Sequence, residues 1–117
     1  MSKATRVLLV DDSDVVRNGI ARYLRTKEGI SIVGSARNGY EALAVFNEGV
    51  FVDVVLAELN MPEMDGIEVA EVLAVQYPEV SVVILTMHAN QEFIDQALKA
   101  GVTSYVIKGA ELEDIYK

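Results

Sequence analysis

The chain has 117 residues, of which 51% are hydrophobic and 24% charged, the proportions of one compact globular domain with little room for a second. Its 18 acidic residues against 10 basic ones give a formal net charge of −8, which disfavours sequence-independent binding to nucleic-acid phosphates. Cysteine is absent, which excludes disulfides, Cys-ligated zinc, iron–sulfur centres and thiol nucleophiles, and fits a reducing cytoplasm.

Met1 to Arg6 lead directly into Val7-Leu8-Leu9-Val10, a run too short for a signal peptide and closed by acids. No apolar run approaches the roughly 20 residues of a membrane-spanning helix, so a soluble cytoplasmic domain is expected. Five short apolar runs rich in β-branched residues read as strands: Val7 to Val10, Ile30 to Ala36, Val52 to Ala57, Val80 to Leu85 and Tyr105 to Ile107. Four are nearly continuous, as strands covered on both faces are. The second is broken by Ser31, Gly34 and Ser35 and belongs at a sheet edge.

Helical periods fill the gaps. Ser13 caps a helix whose apolar face carries Val16, Ile20 and Leu24. Asn38 with Glu41, and Asp65 with Glu68, have capping-box spacing. Ile67, Ala70, Leu73 and Tyr77 share one face of the third helix. Asn90 opens a fourth helix, with Ile94, Ala97 and Leu98 on its face and Gly101 as its stop. Glu111 to Lys117 start a fifth helix that is expected to be cut short, as in a domain trimmed from a longer protein. Strands alternating with helices predict a parallel α/β sheet with helices on both faces.

In such sheets ligands bind beyond the carboxyl ends of the strands. Asp11, Asp12, Ser13 and Asp14 follow the first strand and Glu58, Leu59 and Asn60 the third, while Thr86 ends the fourth and Lys108 the fifth. Asp11, Asp12 and Glu58, with a backbone carbonyl, are oxygen donors suited to Mg²⁺, and a metal, a lysine and a hydroxyl together suit a phosphoryl group. Each residue has a plainer reading alone: a polar loop with a helix cap, a surface lysine, a strand-end threonine. Their joint placement on one rim favours the site. His88, the single histidine, lacks a second ligand for a metal and reads as a solvated loop residue. Gly34 to Gly39 lacks the Lys-Ser/Thr of a P-loop and reads as a turn before a helix.

Val7-Leu8-Leu9-Val10-Asp11-Asp12, Asp53-Val54-Val55-Leu56 leading to Asn60-Met61-Pro62-Glu63-Met64-Asp65-Gly66, Leu85-Thr86-Met87-His88 and Ala97 to Lys108 together resemble the receiver domain of two-component response regulators, from Val7 to Lys117. Val16-Arg17, Gly19-Ile20 and Thr86-Met87-His88 are similar to the subgroup that precedes a helix-turn-helix DNA-binding domain. The resemblance implies a flavodoxin-like, doubly wound, five-stranded sheet of order 2-1-3-4-5. It implies Mg²⁺ held by Asp11, Asp12, the acceptor carboxylate and the Asn60 carbonyl. It also implies a Thr86 hydroxyl and a Lys108 ammonium at the phosphoryl group, and Tyr105 as the switching aromatic on the output face.

One departure stands out. The family's phosphate acceptor is Asp, and here Glu58 occupies that place, with the register held by Met61-Pro62 and Asp65-Gly66. An Asp-to-Glu phosphomimetic substitution and a natural atypical receiver both fit. Gly109 replaces the proline that often follows the lysine. The expected function is a phosphorylation-controlled switch, not an enzyme, with weakened Mg²⁺ binding. Expected partners are a sensor histidine kinase or phosphotransfer protein, a second copy in a homodimer, and DNA only through an output domain outside this chain. A Mg²⁺-dependent phosphohydrolase and a phosphorylation-independent interaction module are the competing classes. The first is disfavoured by the lack of a cap domain and by Glu58 in place of an Asp nucleophile.

Overall fold

The computed structural model describes residues 4–58, 61, 64–86, 95–96, 98–102 and 104–107, with the backbone alone for 86 and 104–107. Strands β1 (Thr5–Val10), β2 (Ile30–Ala36), β3 (Val54–Glu58), β4 (Ser81–Thr86) and β5 (Ser104–Ile107) alternate with helices α1 (Asp14–Leu24), α2 (Gly39–Asn47) and α3 (Gly66–Gln76). The strands form one parallel five-stranded sheet in the order β2-β1-β3-β4-β5, as the resemblance implies. β2 lies at the edge, where its serines and glycine placed it.

Strand alternation sorts the core into two layers. Leu8 and Val10 of β1, Val55 and Ala57 of β3, and Val82 and Ile84 of β4 pack with Ala42 and Phe46 of α2 and Val69, Ala70 and Leu73 of α3. On the opposite face Val7, Leu9, Leu56 and Leu85 pack with Ile20, Ala21 and Leu24 of α1. The inner positions of the central strands are therefore apolar on both faces, each fully buried aliphatic side chain contributing about 1.5–3 kcal/mol. β1 and β2 slip register between Val7 and Leu8, so that Ile32 and Gly34 face successive residues of β1. A Cβ on Gly34 would stand 3.0 Å from the Leu8 side chain.

The helix starts follow the expected caps, with one correction. Ser13 Oγ accepts from the Val16 N–H at 3.3 Å. Asp65 and Glu68 close a full capping box, at 2.9 and 3.2 Å. Asn38 caps α2 by accepting from Glu41 N–H at 2.9 Å. The return half of that expected box is not made: the Glu41 carboxylate accepts instead from the Arg37 backbone N–H and guanidinium. The Arg37 hydrogen bond, with its charge, holds the Glu41 carboxyl below its ordinary pKa.

Other boundaries move: β1 begins at Thr5 rather than Val7 and β5 at Ser104 rather than Tyr105. Tyr77 is not on α3 but caps it with φ −140° and ψ 66°, because Pro78 disfavours helical geometry in the residue before it. Its ring packs against Phe46, with centroids 4.7 Å apart. β3 begins at Val54 rather than Val52 and β4 at Ser81 rather than Val80, so each runs one residue further and Glu58 becomes the last residue of its strand. Residues 95–96 and 98–99 are helical, and Gly101 follows with φ 96°, the left-handed stop expected there. Asn90, Ile94, Ala97 and the expected fifth helix at Glu111 to Lys117 lie outside the described residues.

Gly19 offers a direct test of α1. It is exposed in mid-helix, and a Cβ there would meet nothing within 4 Å. Gly19→Ala is expected to stabilise the domain by about 0.5–1 kcal/mol by removing backbone freedom from the unfolded chain. A higher urea midpoint with an unchanged slope is the expected reading. A lower midpoint would show that Gly19 serves a contact absent from this fold.

Candidate functional site

β1 and β3 are neighbours in the middle of the sheet, with Val10 paired to Ala57. Asp11 directly follows β1 and Glu58 is the last residue of β3, so two acids stand at the carboxyl ends of the two neighbouring strands. Both are buried, Asp11 at 2% exposure and Glu58 at 6%, and they are the only buried charged side chains among the described residues. Glu58 continues the alternation of Val54 and Leu56 toward the α1 side. Close burial of two acids is costly unless a cation or hydrogen-bond donors offset it.

The β1–α1 loop is held in detail. Asp11 N–H donates to Ala36 O at 3.0 Å, tying the loop to the edge strand. Asp11 Oδ1 accepts from Ser13 N–H at 2.8 Å, an Asx turn that fixes the direction of the side chain. Arg17 reaches back from α1 and donates to both the Asp11 carbonyl and the Asp14 carboxylate. Asp12, at the apex, is exposed.

The far wall is set by α3. Gly66, its first residue, lies so close to β3 that a Cβ would stand 2.5 Å from the Glu58 carbonyl oxygen and 2.9 Å from Ile84 Cδ1. Gly39, the first residue of α2, is seated similarly against Met64 and Val69. The start of α3 thus holds the Glu58 backbone from behind, and the start of α2 packs in turn against α3. Neither contact has a signal in the sequence beyond the glycines themselves.

The sequence-predicted residues divide as follows. Asp11 and Glu58 come together as buried neighbours, and Asp12 flanks them on the surface. Thr86 ends β4, its backbone paired with Ile107, and Tyr105 lies on β5 opposite Ile84. Asn60 and Lys108 lie outside the described residues, as do His88 and Gly109. Among the described residues no three acidic or imidazole side chains gather around a common point that would hold a metal ion. Mg²⁺, however, keeps most of its waters and uses one or two carboxylates, so this all-oxygen donor set fits it. Also among the described residues, no helix is long and apolar enough to cross a membrane.

Comparison with known proteins agrees with this geometry. The response regulator receiver domain family matches residues 7–117. The chain is 38% identical over 112 residues to the uncharacterized transcriptional regulatory protein YhcZ of Bacillus subtilis, covering 96% of the chain and 52% of that protein. It is 38% identical over 110 residues to the response regulator protein VraR of Staphylococcus aureus, covering 94% and 52%. The chain thus spans about half the length of the curated relatives it matches. Among solved structures, a LuxR-family two-component response regulator from Aurantimonas superposes with a TM-score of 0.91 at 29% identity, over 97% of this chain and 81% of that one. The signal receiver domain of the putative response regulator NarL from Mycobacterium tuberculosis gives 0.90 at 28% identity, over 97% and 91%.

Proposed function

The chain belongs to the response regulator receiver family, and from that premise we propose that it is the Mg²⁺-dependent, phosphorylation-controlled input of a cytoplasmic two-component transcription regulator, with Glu58 in the acceptor's place. Receiver domains are regulatory switches rather than enzymes, and this one is homologous to LuxR-family regulators. The observation that carries the site is the pair of buried carboxylates, Asp11 and Glu58, side by side at the ends of the central strands.

The chemistry follows from that placement. In an ordinary receiver a phosphoryl group leaves a histidine nitrogen of the partner kinase as an aspartate oxygen forms the new bond to phosphorus. A bound Mg²⁺ would supply charge neutralisation for the phosphoryl oxygens. Asp11 and Asp12 would hold that ion with the Asn60 carbonyl, and Thr86 and Lys108 would take the remaining phosphoryl oxygens. Glu58 carries its carboxylate one methylene further than aspartate does. That displaces it by roughly 1 Å from in-line geometry and places negative oxygens partway to the phosphoryl position. The mimicry is incomplete, because one charge replaces about −2.

Kinase, output domain and DNA are partners of the longer protein of which such a domain is the switch. A carboxylate in the phosphoryl position biases the two-state equilibrium of Thr86 and Tyr105 only by its differential interaction with the two states.

Mg²⁺ titration tests the metal reading. The chain is expected to respond weakly, since the ion tolerates little deviation from octahedral geometry, and Asp12→Ala is expected to abolish the response. Asp12 is exposed, so its loss should leave the fold intact. An unchanged response in Asp12→Ala would place the metal elsewhere.

A further inference from the structure

We propose that Arg17 is a positioning residue that holds the acidic β1–α1 loop in its cation-binding shape before any cation arrives; this rests on the Mg²⁺ reading of the site. Arginines on the first turns of a surface helix usually extend into solvent, but the Arg17 side chain is only 12% exposed. It folds back along α1 and divides its guanidinium between two acceptors. Nη1 donates to the Asp11 carbonyl and Nη2 to the Asp14 carboxylate. Its backbone N–H donates to Ser13 O at 3.0 Å. One residue therefore touches three of the four members of the Asp11–Asp14 loop and leaves Asp12 at the apex.

The division of labour within the loop follows. Ser13 N–H fixes the Asp11 carboxylate from the front at 2.8 Å, and Arg17 fixes the Asp11 carbonyl from behind. Neither the peptide nor the side chain of Asp11 can rotate without losing a hydrogen bond. Arg17 also sets a permanent positive charge beside acids that repel one another. A planar fork can serve two acceptors at once, whereas a lysine ammonium is a point charge on a flexible stem.

A charge acting alone and a geometric clamp predict opposite signs. Removing a positive charge near a cation site should tighten cation binding. Removing a clamp should loosen it, because the loop must then be ordered by the ion itself. We expect the clamp to win.

The test uses the whole chain with Arg17→Ala and Arg17→Lys, and three readouts: Mg²⁺ affinity, metal-free amide exchange at Ser13, and exchange at Leu56 in the central strand. Arg17→Ala is expected to weaken Mg²⁺ about tenfold, the scale seen when groups supporting a ligand are lost, with Arg17→Lys between it and the parent. Ser13 exchange should accelerate in Arg17→Ala while Leu56 exchange is unchanged. A general loss of stability would move both amides together and overturn the proposal, as would an unchanged or tighter Mg²⁺ affinity. If the parent chain shows no Mg²⁺ response, the metal reading fails. The clamp then stands or falls on the Ser13 amide alone.

Discussion

Glu58→Asp, treated with a small-molecule phosphodonor and Mg²⁺, should gain the mass of one phosphoryl group, while the parent chain under the same conditions should gain none. The backbone at position 58 has little freedom to shift. Asp11 is pinned by Ser13, and the backbone of Glu58 is backed by Gly66, where a Cβ would stand 2.5 Å from the Glu58 carbonyl oxygen. With the backbone so held, a carboxylate one methylene longer than that of aspartate is expected to lie out of line. A misplacement of about 1 Å can cost roughly 10²-fold in rate, enough to remove detectable labelling on the timescale of the shorter variant. Mass spectrometry of the intact chains decides the matter. Equal labelling of both would mean that the acceptor lies elsewhere and that Glu58 has been misassigned.

Gly66→Ala should be the most damaging single-methyl change at the site. The added Cβ would stand 2.5 Å from a backbone oxygen and 2.9 Å from a core isoleucine, distances at which the neighbours must move. The backbone oxygen cannot swing aside as a flexible side chain could. The expected loss is about 2–3 kcal/mol, the range of core overpacking, or roughly 10 °C in Tm for a domain of this size. Mg²⁺ affinity should fall with it, because the displaced segment carries Glu58. The contrast with Gly19→Ala is informative, since the same substitution is expected to stabilise one helix and to lever the other off the sheet. A Gly66→Ala variant as stable as the parent would show that α3 approaches β3 less closely than described.

Much of this architecture was legible from local patterns. The β-branched runs located the strands, and the serines and glycine of Ile30–Ala36 placed β2 at the edge. Ser13, Asn38 and Asp65 marked the helix starts because capping is satisfied within a few residues. Asp11 and Glu58 could be brought together on paper, since parallel topology sends strand ends to one rim. The misses occurred where two local signals competed. Tyr77 has the right spacing for the α3 face, but Pro78 overrides it. Glu41 has the right spacing for a reciprocal box with Asn38, but the charged Arg37 is the stronger partner. Arg17 was visible only as part of a motif, and an i,i+3 pairing with Asp14 was its one local cue. The Gly66 contact had no local cue, because it depends on how closely α3 settles against β3.

The parallel pairing of β1 with β3 also orders events in time. Arg6 and Asp53, joined by a bidentate ion pair at the opposite end of these strands, are separated by 47 positions. Asp11 and Glu58 have the same separation. Closing that span requires β2, α1 and α2 to have been synthesised, and such non-local closure is slow compared with helix formation. A nascent chain ending before β3 has Asp11 and Asp12 but no Glu58 to set beside them. One ending before β4 leaves β3 without its second neighbour. The two buried acids therefore cannot be set side by side until β3 and the strand that flanks it have been made, so the rim is completed late in the synthesis of the domain.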